Sequence, residues 1–172
     1  LVGFQTNLTF AEQRRVFGMV PALRDAEFLR YGVMHRNTFI DAPRLLDPGL
    51  RLRSRPSVRI AGQLAGTEGY LEAVATGLLA ALDVWTARID TGPVRLPVTS
   101  VLGALIAYAT DPATIDYQPM HVNYGLVPAL DPHVKRKRER YAAYGARARA
   151  DLARYLAARP ELALPTPNGA LS

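Results

Sequence analysis

From Tyr70 onward, Leu71, Val74, Ala75, Leu78, Leu79, Leu82 and Trp85 recur at helical spacing. Only an α-helix gathers such a set onto one side, and the pattern predicts a helix of about sixteen residues with one wide buried face. The chain enters it through Val58 to Ala61, which has strand character, and then Gly62, Gly66 and Gly69. Glycines at a strand-to-helix corner let backbone approach a ligand closely. A helix start there directs N–H groups and the positive end of the helix dipole at whatever lies before it. A glycine run of this kind also makes an ordinary tight corner, so by itself it does not decide between the two.

The remaining chain is punctuated by proline and glycine. Thr9 and Glu12 have capping-box spacing and predict a short helix from Phe10 to Met19, ended by Pro21. Glu27 to Tyr31, Asn37 to Ile40, Leu50 to Arg53 and Val58 to Ala61 read as strands of a mixed sheet, separated by Pro43, Pro48, Gly49 and Pro56. Thr99 is placed to cap a second apolar helix ending near Thr110, and Asp111 to Leu130 reads as extended loop. Asp131 and Pro132 suit a helix cap and first turn, predicting a long helix to Ala158 that stops at Pro160. On it Tyr141, Tyr144, Ala148, Leu152 and Tyr155 share one stripe. The tail, residues 161–172, has no period and is expected to fray. The apolar runs, such as Val101 to Ala109, fall short of the roughly 18 residues of a membrane span, so none is expected.

With no cysteine, this chain supplies no disulfide, no thiolate metal ligand and no cysteine nucleophile. Its three histidines lack ligand spacing, and no metal is expected. The net charge of +6 is local: Asp131 to Arg159 carries nine Lys or Arg against three acids, and the rest is balanced at twelve of each. Lys135, Arg136, Lys137, Arg138, Arg140, Arg147 and Arg149, with tyrosines among them, suit a phosphate-tracking surface, although a charge run is often only a solvated face.

The run from Val58 to Tyr70, with Ala61-Gly62-Gln63 and Gly66-Thr67-Glu68-Gly69-Tyr70, resembles the C-terminal flavin-contacting motif of large tRNA-modifying flavoproteins. Two classes share it: the folate- and FAD-dependent tRNA uracil-5-methyltransferases (TrmFO) and the wobble-uridine carboxymethylaminomethyl flavoproteins (GidA, also MnmG). Gly3 to Phe10, Tyr31 to Thr38 and Gln118 to Leu126 resemble the methyltransferase pattern, and the likeness extends from Leu1 to about Leu156.

The resemblance implies an α/β fold, the C-terminal part of a Rossmann-like FAD/NAD(P)-binding fold with added C-terminal helices. Residues 1–90 would complete the flavin domain, 91–160 form a helical segment, and 161–172 a flexible tail. Gly62, Gln63, Gly66, Thr67, Glu68, Gly69 and Tyr70 would contact FAD, and His35, Arg36 and Asn37 would face folate. The implied reaction passes the one-carbon unit of 5,10-methylenetetrahydrofolate through FAD, reduced by NAD(P)H, to uracil C5 in a tRNA T-loop, in the cytoplasm. A chain that opens on Leu1, without a cysteine or a first dinucleotide-binding turn, is expected to have been cut from something longer and to be inactive alone. The competing readings are the sibling modification enzyme and a non-catalytic basic RNA-binding module. Beyond these sites, His133 lies near the start of the expected basic helix, His121 is expected to be structural, and Glu72 to be solvated rather than paired with Glu68.

Overall fold

The computed structural model describes residues 4–34 and 37–162. His35 and Arg36, and the expected tail beyond Leu162, lie outside the described residues. The chain divides into two compact units between Asn37 and Thr38.

Among the described residues the first unit holds one α-helix, α1 (Phe10–Phe17). Thr9 caps it by accepting from the Glu12 N–H. Glu12 does not complete the capping box; its carboxylate turns to Arg15 instead, and the helix ends two residues short of Met19. Gln13 is fully buried, and its amide donates to the carbonyls of Leu8 and Gly32 while accepting from the Gly32 N–H at 2.8 Å. One side chain thus serves as the ladder that a sheet would otherwise provide. Gly32 is required here, because a Cβ would stand 1.9 Å from the Phe4 carbonyl oxygen. Glu27 to Tyr31 is therefore not a strand: Phe28 and Tyr31 stack with Phe17 and Phe10 in an aromatic ladder against α1.

Among the described residues of the second unit the expected mixed sheet reduces to one antiparallel hairpin, β1 (Arg51–Leu52) and β2 (Arg55–Arg59). Nor do residues 37–40 form a strand, since the Ile40 N–H donates to Leu64 O in the glycine corner. The short helix α2 (Ala42–Leu45) packs on α4 (Val101–Thr110). Between them lies a core of Leu46, Leu50, Ala65, Ile106, Ala109 and Tyr117. The cap of α4 is Ser100, whose hydroxyl accepts from the Gly103 N–H. Thr99, one residue earlier, donates to Asp151 instead.

The helix α3 runs Tyr70–Arg88, and its orientation reverses the expectation. Glu72, Thr76, Asp83 and Thr86 are buried, whereas Leu71, Val74, Leu78 and Trp85 are exposed. The polar face turns inward because Thr76, Glu72 and Asp83 have partners there. Thr76 accepts from the Gly62 N–H, Glu72 from the Val122 N–H, and Asp83 pairs with Arg59 on β2. Among the described residues α3 is also the one helix long and apolar enough to cross a membrane, by length and composition alone, as core helices can be. The last helix, α5 (Lys137–Ala157), begins five residues after Pro132. The carbonyls of Val134 and Lys135, which would sit in its first turn, accept from the Arg140 guanidinium.

Candidate functional site

The glycine corner is sewn shut on one side and open on the other. Gly62 to Ala65 forms a single 3-10 turn that ends on Gly66 in the left-handed region, φ 75°. Thr67 is fully buried, and its hydroxyl donates to Gly62 O and lies 3.3 Å from that of Thr76. Tyr117 donates to Ala65 O and stands where a Gly66 Cβ would be, 2.2 Å away. Burial, and then the neighbouring Tyr108, push the Tyr117 phenol well above its ordinary range, so it remains a donor. Residues 66–68 pair with Met120: its N–H donates to Gly66 O and its carbonyl accepts from the Glu68 N–H.

The accessible rim consists of Gln63, Leu64, Glu68, Gly69 and Tyr70. Gly69, at φ 110° and ψ 152°, is the cap residue of α3, and no side chain caps the helix there. The Gln63 Nε2 is buried and finds no acceptor among the described residues. Glu72 is buried rather than solvated, and together with Glu68 it faces His121, at 3.7 and 3.9 Å. Donation from the Val122 N–H, against the opposing effect of desolvation and with help from His121, holds its carboxyl below the ordinary glutamate range. A carboxylate stronger in the folded than in the unfolded state stabilises fully above the unfolded value, and that contribution is lost as pH falls through the folded one. The Val122 amide resonance should therefore titrate with a midpoint below 4.5 and lose that titration in Glu72→Gln. A midpoint above that value would contradict the contact.

Sequence reasoning missed Thr76, Tyr117 and Glu72 as builders of this corner. The available signal was Glu72 and Thr76, polar residues set among the apolar positions of a helical run.

The basic residues divide in two. Lys135, Arg136, Lys137, Arg138 and Arg149 are exposed. Arg140 closes the turn before α5, and Arg147 donates to the carbonyls of Pro128 and Ala129 while lying over the Tyr144 ring. Tyr144 in turn stacks on Tyr124, 5.0 Å between centroids, and Tyr155 accepts from the Arg95 N–H. The tyrosine stripe expected from the sequence thus anchors α5, while at its exposed start Arg136 pairs with Glu139 and Lys137 lies over the Tyr141 ring. In the first unit, Thr6 to Phe10 and Gly32 to Met34 line one cleft of about 440 Å³. Two segments that carried the resemblance therefore meet, beside the sequence position of His35, Arg36 and Asn37.

Comparison with known proteins decides the affiliation. The family model described as glucose inhibited division protein A matches residues 1–88. The chain belongs to that family. The family match ends at Arg88, where α3 ends. Curated relatives named methylenetetrahydrofolate–tRNA-(uracil-5-)-methyltransferase TrmFO are similar over most of the chain. The relative from Parasynechococcus marenigrum (strain WH8102) is 49% identical over 93% of this chain and 35% of its own length. Those from Desulforudis audaxviator (strain MP104C) and Heliobacterium modesticaldum (strain ATCC 51547 / Ice1) are each 52% identical, over 94% and 91% of this chain and 37% and 36% of their own lengths. The chain thus spans about a third of the length of the curated relatives it matches.

Proposed function

We propose that this chain is the C-terminal part of a folate- and FAD-dependent tRNA (uracil-5-)-methyltransferase that forms 5-methyluridine in the T-loop. The observation that carries the reading is the glycine corner: an uncapped start of α3 at a glycine whose backbone only glycine readily adopts, and, in the turn before it, a buried Gln63 amide without an acceptor among the described residues. Donors without acceptors fit the acceptor-rich pyrimidine edge of a flavin. Because the Glu72 carboxylate already lies against the start of α3, the corner favours an uncharged acceptor edge over a phosphate. The proposed contacts are Gln63, Glu68, Gly69 and Tyr70 at the rim, shaped from behind by Gly62, Gly66 and Thr67.

When bound, FAD reduced by NAD(P)H would relay the one-carbon unit of 5,10-methylenetetrahydrofolate to uracil C5. This chain's own residues orient the ring through Gln63 and the α3 N–H groups, and they exclude water behind it through the buried Thr67, Thr76 and Tyr117. His35, Arg36 and Asn37, which follow the cleft segment Gly32 to Met34 in sequence, are proposed to face folate. The family match over 1–88 supports assigning residues 1–90 to a Rossmann-like flavin domain; 91–160 is proposed as its helical extension, and the cytoplasm as its compartment. The thiolate that uracil activation requires would come from outside this chain, which has no cysteine.

Lys135, Arg136, Lys137, Arg138 and Arg149 are proposed to track tRNA phosphates. A complete polypeptide carrying this segment should purify yellow and incorporate methyl groups into tRNA in a folate-dependent way. A colourless protein that refuses FAD would sink the reading, and flavin without folate dependence would favour the wobble-uridine class. Charge reversal at Lys135, Arg136, Lys137 and Arg138 should weaken tRNA binding and flatten its salt dependence by up to about four charges' worth of counterion release. An unchanged slope would return the start of α5 to a solvated surface.

A further inference from the structure

Within the second unit a cavity of about 600 Å³ opens between the β1–β2 hairpin, the later half of α3, and α4. That is room for a small organic ligand of nucleotide size. It is separate from the glycine corner: the rise of α3 from Tyr70 to Asp83 puts roughly 20 Å between them, and no residue from Gly62 to Tyr70 lines it. Leu50, Leu79, Val94 and Ile106 give it an apolar wall, and its charged lining is Arg53, Asp83, Arg95 and Asp111. Both guanidinium groups have donors to spare. Arg53 reaches Thr110 O at 3.4 Å and Arg95 reaches Val94 O at 3.1 Å, and among the described residues neither pairs with an acid. Asp111 is exposed and accepts from the Ala113 N–H. Asp83 differs, because it is 2% exposed and only half used. Its Oδ2 is held by Arg59, whereas Oδ1 is buried without a donor among the described residues. A buried acceptor of this kind is costly unless a donor reaches it. A Cβ at Gly49 would stand 3.1 Å from that oxygen and 3.0 Å from Arg95 Nη1, so the open acceptor and a spare cation border the same space.

We propose that this cavity binds an adenine nucleotide, with the base amino group donating to Asp83 Oδ1 and the phosphate accepting from Arg53 and Arg95. The apolar wall takes the ring. Guanidinium groups are suited to phosphate because their planar N–H pairs match its oxygens. Adenine is favoured over guanine because one carboxylate oxygen is open rather than two: guanine presents an adjacent ring N–H and amino group that together use both, and Arg59 already holds Oδ2. A simple anion would leave Asp83 unanswered and be opposed by it and by Asp111. An amino acid carries the required pair of charges but is too small to fill the volume. The same chemistry is offered by free AMP and by an adenosine residue of RNA. The inference rests on the cavity alone, and it stands whether or not the corner holds flavin.

The test is equilibrium dialysis of AMP against a complete polypeptide carrying this segment, with FAD in excess. AMP should bind, whereas adenosine, and purine riboside monophosphate, which lacks the amino group, should each bind about tenfold or more weakly, the scale of one lost charge-assisted hydrogen bond. Asp83→Asn should reverse the preference from AMP to IMP. Its amide oxygen must face Arg59, so an amine replaces the open acceptor and meets the oxo group of hypoxanthine. Arg53→Gln with Arg95→Gln should remove the advantage of AMP over adenosine while leaving the melting temperature unchanged, so the proposal can fail even where Asp83→Asn does not fold. Absence of AMP binding, equal binding of purine riboside monophosphate, or an unaltered preference in Asp83→Asn would overturn it. So would inorganic phosphate that competes as well as AMP does. Binding of AMP only when FAD is left out would assign it to the glycine corner and overturn the proposal equally. Displacement of AMP by tRNA would identify an RNA adenosine as the bearer, and failure to displace it a free nucleotide; both support the cavity. AMP binding by a polypeptide that stays colourless supports the cavity while counting against the flavin reading, so the two fail separately.

Discussion

Asp83→Ala is expected to lower the stability of the second unit by about 3–5 kcal/mol, the usual cost of removing one partner from a buried ion pair. Asp83 is 2% exposed and accepts from Arg59 Nε at 2.9 Å. The Arg59 Nη2 lies 2.8 Å from the same oxygen, and Arg51, itself paired with Asp47, lies 3.8 Å away. This charge network is what fastens the β1–β2 hairpin to α3, because the hairpin is too short to be stable by itself. Alanine would leave the Arg59 guanidinium, with only a small part of its surface in water, facing an apolar gap. Chemical denaturation of the chain measures the loss. The paired replacement Asp83→Leu with Arg59→Met should restore most of it, since two apolar groups of similar size avoid the desolvation that the ion pair incurs. A loss below about 1 kcal/mol for Asp83→Ala would mean that the network is a surface pair in effect and does not hold the hairpin.

The same network explains what the sequence made legible and what it hid. The apolar periodicity from Leu71 to Trp85 correctly announced a helix, and its start at Tyr70 was readable from the three glycines. Periodicity identifies an apolar face but does not say whether this chain covers it. The buried face was instead written in the isolated polar residues Glu72, Thr76, Asp83 and Thr86, whose spacing of four, seven and three is equally helical. They look like surface residues until their partners, the Gly62 and Val122 N–H groups and Arg59, are known. The strands failed for a related reason. Phe28, Tyr31 and Ile40 carry strand propensity, but Gln13 and the glycine corner satisfy nearby backbone groups locally, so no ladder is needed. At α5, Pro132 gave a plausible start, but Arg140 takes the carbonyls that a first turn would have used. The Gly62–Tyr70 corner and the basic start of α5 were legible because glycine and charge have few alternative uses.

Gly69→Ala should be the most damaging single substitution for the candidate site. At φ 110° and ψ 152° the residue lies in a region that is essentially reserved for glycine, and a side chain there costs on the order of 1–3 kcal/mol in backbone strain alone. The added Cβ would also fall 2.2 Å from Glu72 Oε2 and 2.9 Å from His121 Nδ1. Relief requires either turning the peptide that begins α3 or expelling the Glu72 carboxylate from its bond to Val122, and both redirect the N–H groups at the rim. A complete polypeptide carrying Gly69→Ala should therefore lose most of its flavin absorbance, while the chain alone shows the strain as reduced stability. Gly77→Ala supplies the control in the chain alone. Its Cβ meets nothing and lies in a helix interior, so it should stabilise the chain by about 0.5–1 kcal/mol. If Gly69→Ala retained flavin as well as the unaltered protein does, the start of α3 would not be a cofactor contact. The corner would then be a turn that serves only to position the helix.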